Sequence, residues 1–412
     1  MQAVAQRRRA GMENRREEFL KTVCQIYMVA VLVVLPLYYI PGNGYYKLGD
    51  SKYYLYRNIS LICMGICLSI QIISVARSCR MAKNRRIGQR IWIENHGQAE
   101  QCGSFGMFMR ETMEKAVGWC REHSVVTAVC FYGFCALLSA ICSPYGRTAW
   151  IGEREWYMGA VTICLMAGGF LMAADYSGQC IRILYLGEAA SVIVALIGLF
   201  QKLGYDPLGL LRGYVLGDWE YTHMLSTLGN NNWLSGYYSV MFPLSLSLFC
   251  KAVEERRKAA SVLLGVSNTL VVILLFLQGS DGGVMVVCVT LWICFWSSRK
   301  KNGLWEPLLV LLSGVCIGML LWGKVMQSLG TYDILLQDGI ARKMAVWQGW
   351  FLLSVVCLLF CGIHYALPEK KKRALQIGAL CGSLLLAAGV IIWYILKLQG
   401  SDFAEWGNRR GM

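Results

Sequence analysis

Long apolar runs, separated by short charged stretches, constrain this chain more than any other feature. Eleven such runs recur along the 412 residues, at 23–40, 59–76, 125–142, 157–174, 183–200, 234–250, 262–277, 283–296, 307–322, 344–367 and 374–396. A membrane-crossing helix needs roughly 20 mostly apolar residues, and only helices or closed barrels satisfy the backbone in lipid. The sequence therefore predicts an all-α fold, a polytopic membrane helix bundle of about 11 transmembrane helices.

Basic residues cluster between alternate runs and predict the orientation. The clusters lie at 7–16, 77–90, 251–258, 299–301 and 370–373. If all eleven runs span, the clusters share one side, which the positive-inside rule assigns to the cytoplasm. The prediction is a cytoplasmic basic N-terminus at 1–22 and a transmembrane domain at 23–400 with a cytoplasmic segment at 77–124. Residues 401–412 then begin an extracytoplasmic loop.

The net charge of +15 follows from these clusters. Because the charges are scattered between spans, they favour anionic lipid headgroups as partners over a nucleic-acid patch. Within the cytoplasmic segment, charges at helical spacing in 107–122 predict an amphipathic helix on the membrane surface. The eighteen cysteines lie mostly inside the runs and form no C-x-x-C pair, so we interpret them as small apolar core residues. The sequence predicts neither a metal site nor a cofactor.

Three consecutive asparagines, Asn230, Asn231 and Asn232, stand where a loop becomes an apolar helix. One asparagine is enough to cap a helix N-terminus, which is the structural interpretation. Three carboxamides beside Gly229 also supply several donors at the positive end of a helix dipole, which is a natural anion site. From these residues alone, the two interpretations are equally supported.

A second polar loop, at 143–159, carries Arg147 and Arg154. Planar guanidinium groups suit phosphates. The alternative is an anchor for lipid headgroups, which the neighbouring Trp150 and Trp156 favour.

The short turn at 278–283 contains Ser280 and Asp281, which are predicted to cap the next helix. Asp281 is also a candidate base or ligand of a sugar hydroxyl.

Two other residues stand out: His223, a single histidine near the asparagines, and Glu188, a carboxylate inside a run. Intramembrane carboxylates are costly and suggest function, although Arg182 is close enough in sequence to satisfy Glu188.

Together these segments resemble the O-antigen ligase and polysaccharide polymerase superfamily of bacterial multi-spanning membrane enzymes. Residues 229–232 are similar to its Gly-Asn-x-Asn signature, and loop 143–159 is similar to its S-P…W-x-G…R…G stretch. Residues 402–411, D-F-A-E-W-G-N-R-R-G, are similar to the start of its large outer loop. At the turn where relatives often have Ser-Arg-Gly, this chain has Ser280-Asp281-Gly282.

The resemblance implies glycan transfer from a polyprenyl-diphosphate carrier to a saccharide or lipid acceptor at the bacterial cell membrane. It implies that the diphosphate is held by Asn230, Asn232, Arg147, Arg154 and Arg410. It also implies a C-terminally truncated member, which we expect to bind donor without turnover. No residue is assigned as catalytic, and His223 and Asp281 are the candidates. The alternative is a membrane transporter or lipid-linked glycan flippase without covalent chemistry; sugar, acceptor and oligomeric state stay open.

Overall fold

The protein is described by a computed structural model that covers residues 2–96, 118, 120–177, 180–215, 218, 220, 223–299, 303–330, 334 and 339–401. Within these ranges every regular element is a helix and no strand occurs. The predicted all-α, polytopic membrane fold is therefore confirmed.

Helices occupy each of the predicted apolar runs. The long ones are α1 (Gln2–Val29), α2 (Leu48–His96), α3 (Ser124–Cys142), α4 (Ala160–Tyr176), α5 (Ile181–Lys202), α6 (Asn231–Glu254), α7 (Lys258–Leu277), α8 (Asp281–Ser298), α9 (Trp305–Ser328), α10 (Gly349–Ala366) and α11 (Glu369–Ser401). In the described chain, eight segments are long and apolar enough to cross a membrane: Asn14–Leu37, Leu48–Arg77, Ser124–Cys142, Ile181–Lys202, Lys258–Leu277, Asp281–Ser298, Trp305–Ser328 and Gly349–Ala366. Helix α4 is apolar but shorter, at 17 residues.

The first span ends earlier than the apolar run that predicted it. After α1 the chain passes through a π-helical turn at Ala30–Val34 and a last helical turn at Leu35–Leu37. Lys52 Nζ then donates to the carbonyl oxygens of Leu35 (2.7 Å) and Pro36 (2.8 Å). The last carbonyls of a helix lack intrahelical donors, so these two hydrogen bonds from Lys52 stabilise the stop at Leu37.

Two other boundaries differ from the sequence prediction. The run at 344–367 is divided between a short helix, Gly339–Val346, and α10, with Trp350 Nε1 donating to the Met344 carbonyl across the break (2.6 Å). Helix α2 continues without interruption to His96, so the beginning of the predicted cytoplasmic segment is helical. Most of the predicted amphipathic helix at 107–122 lies outside the described residues, as do Arg410 and the rest of 402–412.

The chain divides into two compact units, Met1–Ser191 and Val192–Met412. In the first unit, α1, α2 and α4 share a core in which Cys24 and Cys67 pack against Met172. Gly169 makes this possible, since a Cβ there would lie 2.3 Å from Tyr27 Oη. Both are buried free thiols, which confirms the predicted core role for these two. The prediction is wrong for the described cysteines that are exposed in the structure: Cys130, Cys135, Cys142, Cys288 and Cys381.

In the second unit, α7 is the central helix, and residues 271–277 on it are all buried. It packs against α6 and α9. Gly318 lets α9 approach closely, because a Cβ there would lie 2.5 Å from Ile273 Cδ1. At one end of this unit the last residues of α7 meet the first turns of α6 and α8, which brings the asparagine triplet and the 278–283 turn together.

Candidate functional site

Asn230 is the N-cap of α6. Its backbone is extended (φ −155°, ψ 138°), and its Oδ1 accepts a hydrogen bond from Asn232 N at 2.8 Å. The structural interpretation is thus correct for this residue, and such a cap contributes about 1 kcal/mol. Gly229 before it has φ +79°, a left-handed conformation that favours glycine.

The segment before the cap is folded into the unit. Residues 224–227 are buried, and Ser226 anchors them. Its backbone N–H donates to Gln201 Oε1 (2.8 Å), and its hydroxyl donates to the Val194 carbonyl (2.6 Å). The start of α6 therefore follows a fixed loop, with Asn232 exposed and Asn231 buried.

Ser280 and Asn232 join the first turns of two helices. Ser280 occupies the N-cap position of α8, but its side chain makes no capping bond there. Its hydroxyl donates instead to Asn232 Oδ1 at 3.2 Å. Ser280 therefore lies at the predicted N-cap position, but the prediction that its side chain caps the helix is wrong, because its hydroxyl is directed towards Asn232 on α6. Among the described residues no group accepts a hydrogen bond from Asn232 Nδ2.

Gln278 forms the floor of this site. It is fully buried at the end of α7, and its Nε2 donates to Ser235 Oγ on α6 at 2.8 Å. Its Oε1 is also buried and has no hydrogen-bond partner in the described chain. Gly283 leaves the space for this amide, since a Cβ there would lie 2.1 Å from Gln278 Nε2.

The two helix starts differ in charge. The first turn of α6 contains no acidic residue, whereas that of α8 contains the exposed Asp281. A helix N-terminus favours anions, and at α8 the Asp281 carboxylate already supplies one. An external anion is therefore favoured at the α6 start, beside the Asn232 carboxamide.

The first unit holds a second polar cluster, built on Asp50 near the start of α2. Arg154 Nε pairs with Asp50 Oδ2 (3.2 Å), and the Tyr157 hydroxyl donates to Asp50 Oδ1 (2.7 Å). Burial raises the pKa of the Tyr157 hydroxyl, and its bond to Asp50 raises that pKa further, so it stays a proton donor. The Arg154 side chain is 69% exposed, which leaves most of its guanidinium accessible.

Close backbone packing shapes this loop. A Cβ on Gly152 would lie 2.5 Å from Met158 N, and one on Gly159 would lie 2.5 Å from the Ile151 carbonyl carbon. The Tyr53 ring stacks on Tyr157 with 4.0 Å between centroids. The two glycines of the sequence motif therefore allow the loop to fold back on itself, which places Arg154 beside Asp50.

The sequence-predicted residues are thus divided between two places. Asn230, Asn232 and Asp281 lie at one end of the second unit. Arg154 lies in the first unit, as does the exposed Arg147, which begins the short helix Arg147–Ile151.

Two other residues were singled out in the sequence, His223 and Glu188. His223 is half-buried and directly precedes the buried residues 224–227. Glu188 is buried within α5, where it has interaction partners.

Sequence reasoning missed Asp50, Ser235, Gln278 and Gly283 as site residues. For Ser235 a signal existed, because it follows Asn231 by four residues and so shares its helix face; its hydroxyl donates to the Asn231 carbonyl (3.1 Å). The only signal for Asp50 was an acidic residue in the first turn of a helix, and acidic residues are common at that position.

No family model, curated protein or solved structure matches the chain. The described residues contain no group of three or more His, Cys, Asp or Glu side chains placed to hold a metal ion. The function is therefore inferred from the geometry of the two polar clusters.

Proposed function

We propose that this integral membrane protein binds a polyprenyl-diphosphate-linked glycan and belongs to the O-antigen ligase and polymerase type. The observation that carries the proposal is the start of α6. It is capped by Asn230, has no acidic first turn, and presents the Asn232 carboxamide fixed by Ser280. A helix N-terminus with added amide donors favours phosphate groups. In the first unit, the accessible Arg154 and Arg147 guanidinium groups are also of a type that suits phosphates.

The reaction that fits these groups is glycosyl transfer. An acceptor hydroxyl attacks the anomeric carbon of the donor, the bond between that carbon and the diphosphate oxygen breaks, and the lipid diphosphate leaves with the electron pair. Donors at the α6 start stabilise the charge that develops on the leaving group. Asp281, exposed on the adjoining helix, is the candidate base that takes the hydroxyl proton.

The proposed location is the bacterial cell membrane, with the N-terminus in the cytoplasm and the C-terminus outside. The support is the alternation of basic clusters, since Lys and Arg are enriched in cytoplasmic loops. This orientation puts the Asn230 and Ser280 end of the second unit on the outer face.

The test is donor binding to purified protein in proteoliposomes. Asn230→Ser keeps a side-chain oxygen that caps the helix, whereas Asn230→Ala removes both cap and carboxamide. We expect Asn230→Ser and Asn232→Ala to weaken binding of a polyprenyl-diphosphate oligosaccharide about 10-fold, because each loses a hydrogen bond to a charged group. Melting temperature in detergent should fall for Asn230→Ala and change little for Asn230→Ser.

Unchanged donor binding in Asn230→Ser and Asn232→Ala, with a lowered melting temperature in Asn230→Ala alone, would mean that the triplet is only a structural cap.

In the same vesicles, formation of a new glycosidic bond that is lost in Asp281→Asn identifies the transferase. Movement of the donor across the bilayer without a new bond identifies the alternative, a flippase. An impermeant thiol reagent directed at a single cysteine beside Ser280 reports which side the site faces.

A further inference from the structure

An open apolar groove runs between α7 and α9 at the end of the second unit opposite the asparagine site. Its volume is about 940 Å³. Small residues open it, including Gly265 on α7 and Gly314 on α9, while Val262 and Val310 on its walls are exposed. In a membrane-spanning helix pair, a groove of this composition is accessible to acyl chains rather than to water.

Two cations lie at the head of the groove. Arg256 and Lys258 line it where α6 turns into α7. Within the described part of the chain, neither side chain forms an ion pair or hydrogen bond, whereas Arg257 between them pairs with Glu255 (3.6 Å). The first turn of α7 also has no acidic residue and no side-chain cap, so the positive end of this helix adds to the two charges.

One carboxylate opposes this positive field. Glu306, in the first turn of α9, also lines the groove, and its Oε1 lies 2.8 Å from His364 Nδ1. The two cations outnumber it, so the head of the groove retains a net positive charge. An occupant with an anionic head and an apolar tail complements both parts of the surface.

We propose that this groove is a binding site for an anionic membrane phospholipid of the phosphatidylglycerol class. Its phosphodiester pairs with Arg256 and Lys258, and one acyl chain lies between α7 and α9. Basic pockets between transmembrane helices bind anionic headgroups by the same physics. The site is separate from the glycan site and does not depend on the proposed function.

The test measures lipid retained by the purified full-length chain in mild detergent, by native mass spectrometry with phosphatidylglycerol and phosphatidylcholine of matched acyl chains. We expect selective retention of phosphatidylglycerol. The double variant Arg256→Gln/Lys258→Gln should lose about 30-fold in affinity for it, since each basic residue contributes roughly 5-fold. Glu306→Gln should bind it about 5-fold more tightly, because an opposing charge is removed.

Arg257→Gln is the control, because it removes one charge from the same turn, on a side chain already paired with Glu255. Its affinity for phosphatidylglycerol should stay within about 2-fold of that of the unmodified protein.

Val266→Trp, on the groove wall, should block both lipids, whereas Val289→Trp, on a similarly exposed site of α8, should not. Equal retention of the two lipids, or equal losses in Arg257→Gln and the double variant, would overturn the proposal.

Discussion

The polar clusters of the two units use opposite chemistry at helix starts. In the first unit, Asp50 pairs with Arg154 and accepts a hydrogen bond from the Tyr157 hydroxyl, so the charge of Arg154 is balanced by a residue of the protein. In the second unit, neutral carboxamides and hydroxyls meet at the start of α6, with no acid in its first turn. The difference indicates that the first cluster mainly fixes the shape of a loop, while the second leaves hydrogen-bonding capacity and a positive helix end for a ligand.

The largest loss of stability is expected from Gly283→Ala, which fills the space occupied by Gln278 beneath the asparagine site. The new Cβ would overlap Gln278 Nε2, displacing the amide and breaking its bond to Ser235. Overpacking plus the lost bond should lower the free energy of unfolding by about 3 kcal/mol. Gly282→Ala is the control, since its Cβ would lie 3.6 Å from Ser280 Oγ, an ordinary contact. Chemical denaturation in detergent should show a loss in the first variant only, and similar stability of the two would mean that Gln278 can move freely.

A smaller effect is expected from Tyr157→Phe, which breaks the first cluster. Removing the hydroxyl leaves one oxygen of the buried Asp50 without its donor, and a hydrogen bond to a charged group is worth about 2 kcal/mol. Tyr53→Phe keeps the stacked ring and should be close to neutral. Melting temperatures compare the two; an equal loss in Tyr53→Phe would mean that the Asp50 bond is worth no more than the hydroxyl of Tyr53, which contradicts the prediction.

The smallest effect on stability is expected from Arg154→Gln, because its side chain is mostly exposed. Donor binding tests the role of Arg154 more directly than stability does. If Arg154 contacts the diphosphate, binding should weaken about 3-fold, and this loss should shrink as salt screens the charge. Arg147→Gln, in the same loop, should behave alike if both contact the ligand. Donor binding that stays the same in both variants at low salt would show that neither arginine contacts the diphosphate.

The sequence predicted the local features well. The helices follow the apolar runs, the helix start at Asn230 follows from the capping preference of asparagine, and the cysteines of the first core behave as apolar residues. Each of these depends on neighbours within a few residues, where chain geometry leaves few choices. The first span still ended early, at Leu37, because Lys52 bonds to the carbonyls there.

The tertiary structure decided which polar groups meet. Ser280 and Asn232 are 48 residues apart, Gln278 and Ser235 are 43 apart, and Arg154 and Asp50 are 104 apart. A polar side chain at a helix start can bond to backbone groups of its own first turn or to a group on a neighbouring helix, and the packing of the helices selects between them. The sequence by itself therefore determined a multi-spanning helical membrane protein with polar helix starts, and only the packing determined that these starts form one site with a buried glutamine beneath it.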